Sequence, residues 1–237
     1  MFGKATNRKN IHQQIVHEIA SSIMSGEISP GDTLQTEDIA SSEMNVSRTA
    51  YREALKVLTA KGLVESRPKT GTRICPRQNW NLLDPDLMAW SFQSNRSKDF
   101  ARSLSEMRRI IEPAGAAMAA ERAGAAEIAS IKDALDRIKS FETESRDSIE
   151  ADLDFHISIL SASGNELLAS LGHLIESALE QSFELSTKLP GAREVSLPRH
   201  AAVFEAIKLH QPEEASKAMH LLLTEAWTDI SSVLEDD

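Results

Sequence analysis

VSRTAYREALKVLTAKGLV, residues 46–64, is the stretch that decides how the first part of this chain folds. Arg48, Arg52 and Lys56 recur at every fourth position, so a helix would line three cations along one exposed face. Ala50, Ala54, Leu55 and Leu58 make the other face apolar, and Gly62 ends the helix. Leu63, Val64 and Glu65 then read as a strand, Arg67-Pro68-Lys69-Thr70-Gly71 as a basic turn, and Thr72-Arg73-Ile74 as the returning strand. That order predicts a recognition helix followed by a wing, a form suited to placing long donors in a major groove. Arg48 and Arg52 lead the candidates for base or phosphate contact. Thr49 and Lys56 join them on the helix, with Arg67, Lys69, Thr70 and Gly71 at the wing tip.

The residues upstream complete the pattern. Ile11, Ile15, Ile19 and Ile23 recur every four positions, with Val16 and Met24 beside them, which predicts an amphipathic first helix. Ser29-Pro30-Gly31 breaks the chain and Leu34 turns back toward the core. A second short helix is expected over about Thr36 to Glu43, with Asn45 as a left-handed turn residue. The run PGDTLQTEDIASSEMNVSRTAYREALKVLTAKGLVESRPKTGTRI resembles the winged helix-turn-helix of the GntR family of bacterial transcription regulators. The resemblance covers residues 10 to 75 and rests on order and spacing. One position departs: Asp38 stands where many relatives carry a phosphate-contacting arginine, which implies that this contact is missing.

Charge divides the chain in the same place. Residues 1–80 hold 11 Lys and Arg against 8 Asp and Glu, and the other 157 residues hold 15 against 28. The overall charge of −10 is therefore split into +3 and −13. Spread evenly, it would argue against a nucleic-acid binder. The split instead predicts a mildly basic reader joined to an acidic domain that phosphates repel. Because +3 is a modest attraction, a homodimer on double-stranded operator DNA is the expected functional unit. No apolar run approaches the length of a membrane span, and MFGKATNRKN carries no hydrophobic signal segment. With a single cysteine, Cys75, and no membrane contact, a cytoplasmic, reducing location is expected.

Three segments follow from composition. Residues 1–76 form the DNA-binding domain, 77–96 a linker with a short docking helix, and 97–237 an all-helical effector-binding and dimerisation domain. The linker carries Leu82, Leu83, Leu87, Met88, Trp90 and Phe92, too much apolar surface to stay in water. Asp84-Pro85 supplies its N-cap and first turn. Beyond residue 97 strand signals are absent. Phe100, Leu104, Met107, Ile111, Ala114 and Met118 mark an apolar stripe on a long helix, with further helices expected near 125–144, 147–162, 165–188, 197–210 and 212–234. The fold class is thus mainly α: a winged helix-turn-helix with a β-hairpin wing, then an antiparallel bundle of six or seven helices.

Polar residues interrupt two apolar faces of that bundle. In SIEADLDFHISIL, Asp152 and His156 share the face of Ile149, Leu153 and Leu160, and in SLPRHAAVFEAI, His200 shares that of Val203, Phe204 and Ile207. A carboxylate facing a core is costly unless paired or coordinated. Spacing leaves two readings open. One is an Asp–His hydrogen bond beside an unrelated core histidine. The other is a divalent transition metal with coordination positions left for a small molecule.

DLDFH, HAAVFEAI and the final amphipathic helix resemble the FCD effector domain found behind GntR readers of the FadR type. The resemblance implies that Asp152, His156 and His200 hold a divalent metal, with Zn ahead of Ni or Mn. The domain's fourth ligand falls by position on Leu222, and His220 lies about 200° round the helix from it. A three-ligand site completed by water or effector is therefore expected, with loss of the metal as the alternative. Arg108, in SEMRRIIEP, holds the place of the arginine that faces effector in FCD domains, and Gly115 and Ala116 leave it room to fork a carboxylate. Its other reading is a surface pair with Glu112. Arg109, His173, His210 and His220 are read as solvent-facing.

NWNLLDPDLMAW and the missing last histidine most resemble regulators of sugar-acid catabolism, of the galactonate type. The expected function is a repressor released by a small carboxylic (sugar) acid bound by Arg108, Asp152, His156 and His200. No nucleophile is placed for acyl transfer, so no enzyme is expected. Two alternatives stand beside this: a metal-dependent enzyme acting on a small acid and fused to a DNA reader, and a bundle that serves only dimerisation around a structural metal.

Overall fold

The computed structural model describes residues 7–67, 70–94, 97–141, 145–186 and 192–236. The chain divides into two compact units, Met1–Ser97 and Lys98–Asp237.

In the first unit the order is α1 (Asn7–Ser25), α2 (Glu37–Glu43), α3 (Arg48–Ala60), β1 (Val64–Arg67), β2 (Gly71–Ile74), a 3₁₀ turn over Arg77–Asn79 and α4 (Pro85–Phe92). Ile15, Ile19 and Ile23 of α1 are buried against Ala54, Leu55 and Leu58 of α3, as the four-residue spacing predicts. Tyr51, on the same face of α3, is also buried. Ser47 caps α3 by accepting from the Ala50 N–H at 3.1 Å, and Asn45 takes the left-handed turn before it, at φ 52°. β1 and β2 pair antiparallel from Val64↔Ile74 to Arg67↔Gly71. The segment before α2 adds rungs to β2, through Leu34 N–H to Thr72 O at 2.8 Å and Ile74 N–H to Asp32 O at 2.9 Å. The hairpin is thereby tied to the body of the first unit.

Gly62 makes the turn from α3 into the wing. Its φ is +75°, and a Cβ there would lie 2.2 Å from the Asn79 carbonyl oxygen. Both the left-handed backbone and the backbone contact exclude a side chain. Gly62→Ala should cost on the order of 2 kcal/mol of the first unit's stability, combining strain with a forced shift of the Asn79 segment. Hydrogen exchange of the α3 amides would measure it, and unchanged protection would show that the turn relaxes freely.

α4 begins at the Asp84 cap, whose Oδ1 accepts from Asp86 and Leu87 N–H at 3.1 and 3.3 Å. It packs on α1, where Trp90 meets the His17 ring at 5.8 Å. Lys61, at the C-cap of α3, donates to Asp84 at 2.6 Å and Asp86 at 2.7 Å. Burial works against that ammonium, but the two carboxylates outweigh it and hold its pKa above the ordinary lysine value. Beside it Cys75 is buried. Its N–H donates to Leu63 O and its carbonyl accepts from Trp80 Nε1, both at 2.9 Å.

The second unit is α5 (Ser97–Arg122), α6 (Ala125–Ser140), α7 (Arg146–Ala162), α8 (Glu166–Leu174), α9 (Glu176–Ser186), α10 (Ala192–Lys208) and α11 (Pro212–Asp236). α6 lies along α7 and α10 along α11, around a core that includes Ile131, Leu135, Phe155, Ile159, Val203 and Met219. Three expectations change, the first being the helix expected over 197–210, which begins at Ala192 and carries Pro198 inside it. The helix expected over 165–188 breaks at Ile175, which leaves helical geometry at φ −91°, ψ 3° and buries its side chain in the break. The buried face of α5 is also turned from the apolar stripe. Phe100 and Leu104 are buried, but Met107, Ile111 and Met118 are only half-buried and Ala114 is exposed. Arg108, Glu112, Gly115 and Ala119 take the inner positions, because the two charges satisfy one another there. Among the described residues no helix is long and apolar enough to cross a membrane.

Candidate functional site

The expected recognition surface is α3 with the β1–β2 hairpin. Arg48, Thr49, Arg52 and Lys56 are all exposed along α3, and Arg67, Thr70 and Gly71 are exposed at the wing. Lys69 lies outside the described residues. The cations are not bare. Arg48 Nη1 is 2.9 Å from Asp38 Oδ1, Lys56 pairs with Glu53 at 2.7 Å and Arg67 with Glu65 at 2.6 Å. Arg52 is held most firmly: Nε donates to both Glu37 oxygens at 3.2 and 3.1 Å, and Nη2 donates to Oε2 at 2.6 Å. That hydrogen bonding holds the Glu37 carboxyl below its usual range. Asp38 thus has its partner on α3.

The second cluster lies in the bundle. Asp152 and His156 come from α7 and His200 from α10, and their ligand atoms all lie within 4.8 Å of one another. His200 Nε2 is 2.9 Å and His156 Nε2 is 3.4 Å from the same oxygen, Asp152 Oδ1. Phe155, fully buried, meets the His156 and His200 rings edge-on at 5.7 and 5.1 Å, which limits how either imidazole can turn.

The outer nitrogens have their own partners. His156 Nδ1 sits 2.5 Å from Glu112 Oε2, and His200 Nδ1 sits 3.0 Å from the Ser196 carbonyl. Glu112 Oε1 accepts from Arg108 Nε at 2.6 Å. Arg108 is 3 % and Glu112 1 % exposed, so this chain is interior. Burial would raise the Glu112 pKa, yet Arg108 and His156 outweigh it and lower it to about 2. Glu112 is therefore a carboxylate and can only accept, as can the Ser196 carbonyl. Each imidazole must carry its hydrogen on Nδ1.

The consequence falls on the inner nitrogens. With Nδ1 protonated, each Nε2 either carries a second hydrogen or turns a lone pair toward Asp152. The first case places two imidazolium charges in a buried site. The second leaves three lone pairs converging, which needs a cation among them. Burial disfavours a charged His156, but Glu112 and Asp152 more than offset this and raise its pKa. The donor set, two imidazoles and a carboxylate with outer partners fixing each tautomer, fits a divalent metal.

The other expected participants are placed as follows. Leu222 is buried in the core and His220 is exposed, and neither belongs to the cluster among the described residues. His173 and His210 are exposed, although His210 Nδ1 also reaches the Ala120 carbonyl at 2.8 Å. Arg109 is half-buried, with its Nε buried and unpartnered among the described residues. The room expected at Gly115 is filled by Leu160, whose Cδ2 would be 2.7 Å from a Cβ there. Arg108 is directed into the interior, paired to Glu112. Sequence reasoning missed Glu112 as the group that orients His156. Its only signal was the four-residue spacing from Arg108, which reads equally well as a surface pair.

Comparison with known proteins covers both units. The profile of the bacterial regulatory proteins of the gntR family matches residues 11–74, and that of the FCD domain matches residues 103–225. The HTH-type transcriptional regulator YieP of Escherichia coli is 32 % identical over 91 % of this chain and 94 % of its own length. The galactonate operon transcriptional repressor of the same organism is 31 % identical over 90 % and 93 %. A solved structure of Lar, which controls expression of the Listeria monocytogenes agr system, overlays with a TM-score of 0.65 at 18 % identity, covering 98 % of this chain and 99 % of that one. At that identity the overlay speaks to the fold alone.

Proposed function

This chain belongs to the GntR family, a DNA-binding transcriptional regulator with an FCD domain behind its reader, and on that premise we propose that a small carboxylic acid of the sugar-acid type releases it from its operator. The acid binds at a divalent metal held by Asp152, His156 and His200. The functional unit is a homodimer that sets two readers on a two-fold operator, with Arg48 and Arg52 in the major groove and the wing tip near the minor groove.

One observation carries the sensing half: three donor atoms converge while their outer partners, Glu112 and Ser196, hold both histidines in the ligating tautomer. When bound, a divalent ion supplies a Lewis-acidic anchor for a carboxylate and its neighbouring hydroxyl. Two imidazoles and one carboxylate favour Zn, with Ni and Mn as the other ions to test. Leu222, buried in the core where the family's fourth ligand would fall, supplies no donor, which leaves the remaining coordination to water or effector. The similarity to a galactonate operon repressor supports a sugar acid over other small acids. Arg108 contributes by keeping Glu112 ionised, and an acid would draw on its buried positive charge. Release then requires that the acid bind the DNA-incompetent state more tightly than the competent one.

The test uses a duplex selected by the wild-type dimer from a random library. Adding aldonic and related hydroxy acids in turn should weaken binding about 5- to 150-fold for the true effector, the usual span of allosteric coupling. Chelation should abolish that response and Zn should restore it. If no acid changes the affinity, before or after chelation, the sensing role is wrong. On the same duplex Arg48→Ala and Arg52→Ala should each weaken binding by about tenfold or more, the loss of one good base contact. Light scattering should show the dimer unchanged. Normal binding by both variants would remove α3 from the groove.

A further inference from the structure

Four charged side chains form one row on the recognition surface. Glu37 and Asp38 open α2, and Arg48 and Arg52 lie one turn apart on α3. The pairs are Arg52 with Glu37 and Arg48 with Asp38, and they act on each other: Arg48 also lowers the Glu37 pKa, and Asp38 also raises that of Arg52. The four carry no net charge. Yet Arg48 and Arg52 remain 67 % and 60 % exposed as side chains, so the pairing does not withdraw them from a ligand.

The geometry at Arg52 is the informative part. A guanidinium offers five N–H donors in a rigid fork. Glu37 takes the edge formed by Nε and Nη2. The end formed by Nη1 and Nη2 keeps two parallel N–H groups, with no partner among the described residues. Two parallel donors match O6 and N7 of guanine in the major groove. A free arginine can instead turn its fork to any nearby phosphate, which adds affinity without sequence information. A carboxylate beside it repels phosphate and fixes the plane of the fork.

We propose that Glu37 and Asp38 are specificity-determining positioning residues: Glu37 clamps Arg52 by one edge and leaves its outer end for a guanine, and Asp38, paired with Arg48 through Nη1, keeps that arginine off the phosphates. This deepens the DNA-reading role of α3 and rests on it. The departure at Asp38 then has a function. An acid at position 38 gives up general affinity and gains discrimination.

The experiment uses the full-length protein with Glu37→Gln and Asp38→Asn, near-isosteric changes on the surface. Binding is measured on the duplex selected by wild type and on a shuffled duplex of equal length and composition, at several salt concentrations. Each variant should bind the shuffled duplex several-fold more tightly, and its log K against log salt slope should steepen by about one phosphate equivalent, since a freed arginine becomes a phosphate ligand. The ratio of selected to shuffled affinity should fall at least about tenfold, the discrimination of one bidentate base contact. Repeat selection with Glu37→Gln should lose its preference for guanine at one position. If both variants gain equally on the two duplexes, the acids act through charge alone and the positioning role is overturned. An unchanged ratio and slope overturn it outright. If wild type selects no sequence at all, α3 is not the reader and the proposal falls with it, an outcome distinct from the other two.

Discussion

His200→Ala should bind Zn at least about a hundredfold more weakly than wild type, and the operator complex should no longer respond to acid. Losing even an outer partner of a ligating histidine costs about 10- to 100-fold in metal affinity, and this change removes a ligand itself. Two donors would remain, both from α7, so a bound ion would no longer bridge α7 and α10. DNA binding should survive, because the reader is a separate compact unit with its own core. Zn titration calorimetry and elemental analysis after dialysis check the first part, and binding to the selected duplex checks the second. His200→Gln, which keeps a polar side chain of similar bulk, controls for a packing defect. Unaltered Zn stoichiometry in both variants would place the metal elsewhere.

The second large effect belongs to Glu112. Glu112→Ala leaves Arg108 and His156 buried without the carboxylate they share, and breaking a buried ion pair from one side costs about 3–5 kcal/mol. Replacing both members, as Arg108→Met with Glu112→Leu, removes the unpaired charge and should recover most of that stability. Even so, the double variant should bind Zn about 10- to 100-fold more weakly, because nothing then holds the hydrogen on His156 Nδ1. Hydrogen exchange of α5 and α7 amides gives the stability of this unit, and calorimetry gives the affinity. A double variant with wild-type Zn affinity would reduce Glu112 to a packing group.

These two sites show what the residue string made legible. The reader was open to inspection because each of its signals is local. The four-residue recurrence of Ile15, Ile19 and Ile23, the Ser47 cap, the Asn45 turn and the Gly62 stop all act within a few positions of themselves. The Asp152, His156 and His200 cluster was legible for a related reason: a carboxylate and imidazoles on apolar faces conflict with burial unless something unites them. What stayed hidden needed partners far apart in the chain. Glu112 meets His156 across 44 positions and Arg52 meets Glu37 across 15. Hydropathy also misplaced the inner face of α5, since it scores Arg108 and Glu112 as surface residues and cannot register that each cancels the other's charge.

Cys75 gives this molecule an internal clock. It is the chain's lone sulfhydryl, and burial raises its pKa, so the closed reader offers an alkylating reagent neither access nor thiolate. Labelling has to wait for the wing and the α3 terminus to part. Its rate therefore counts spontaneous opening of one half of the protein while the other half stays silent.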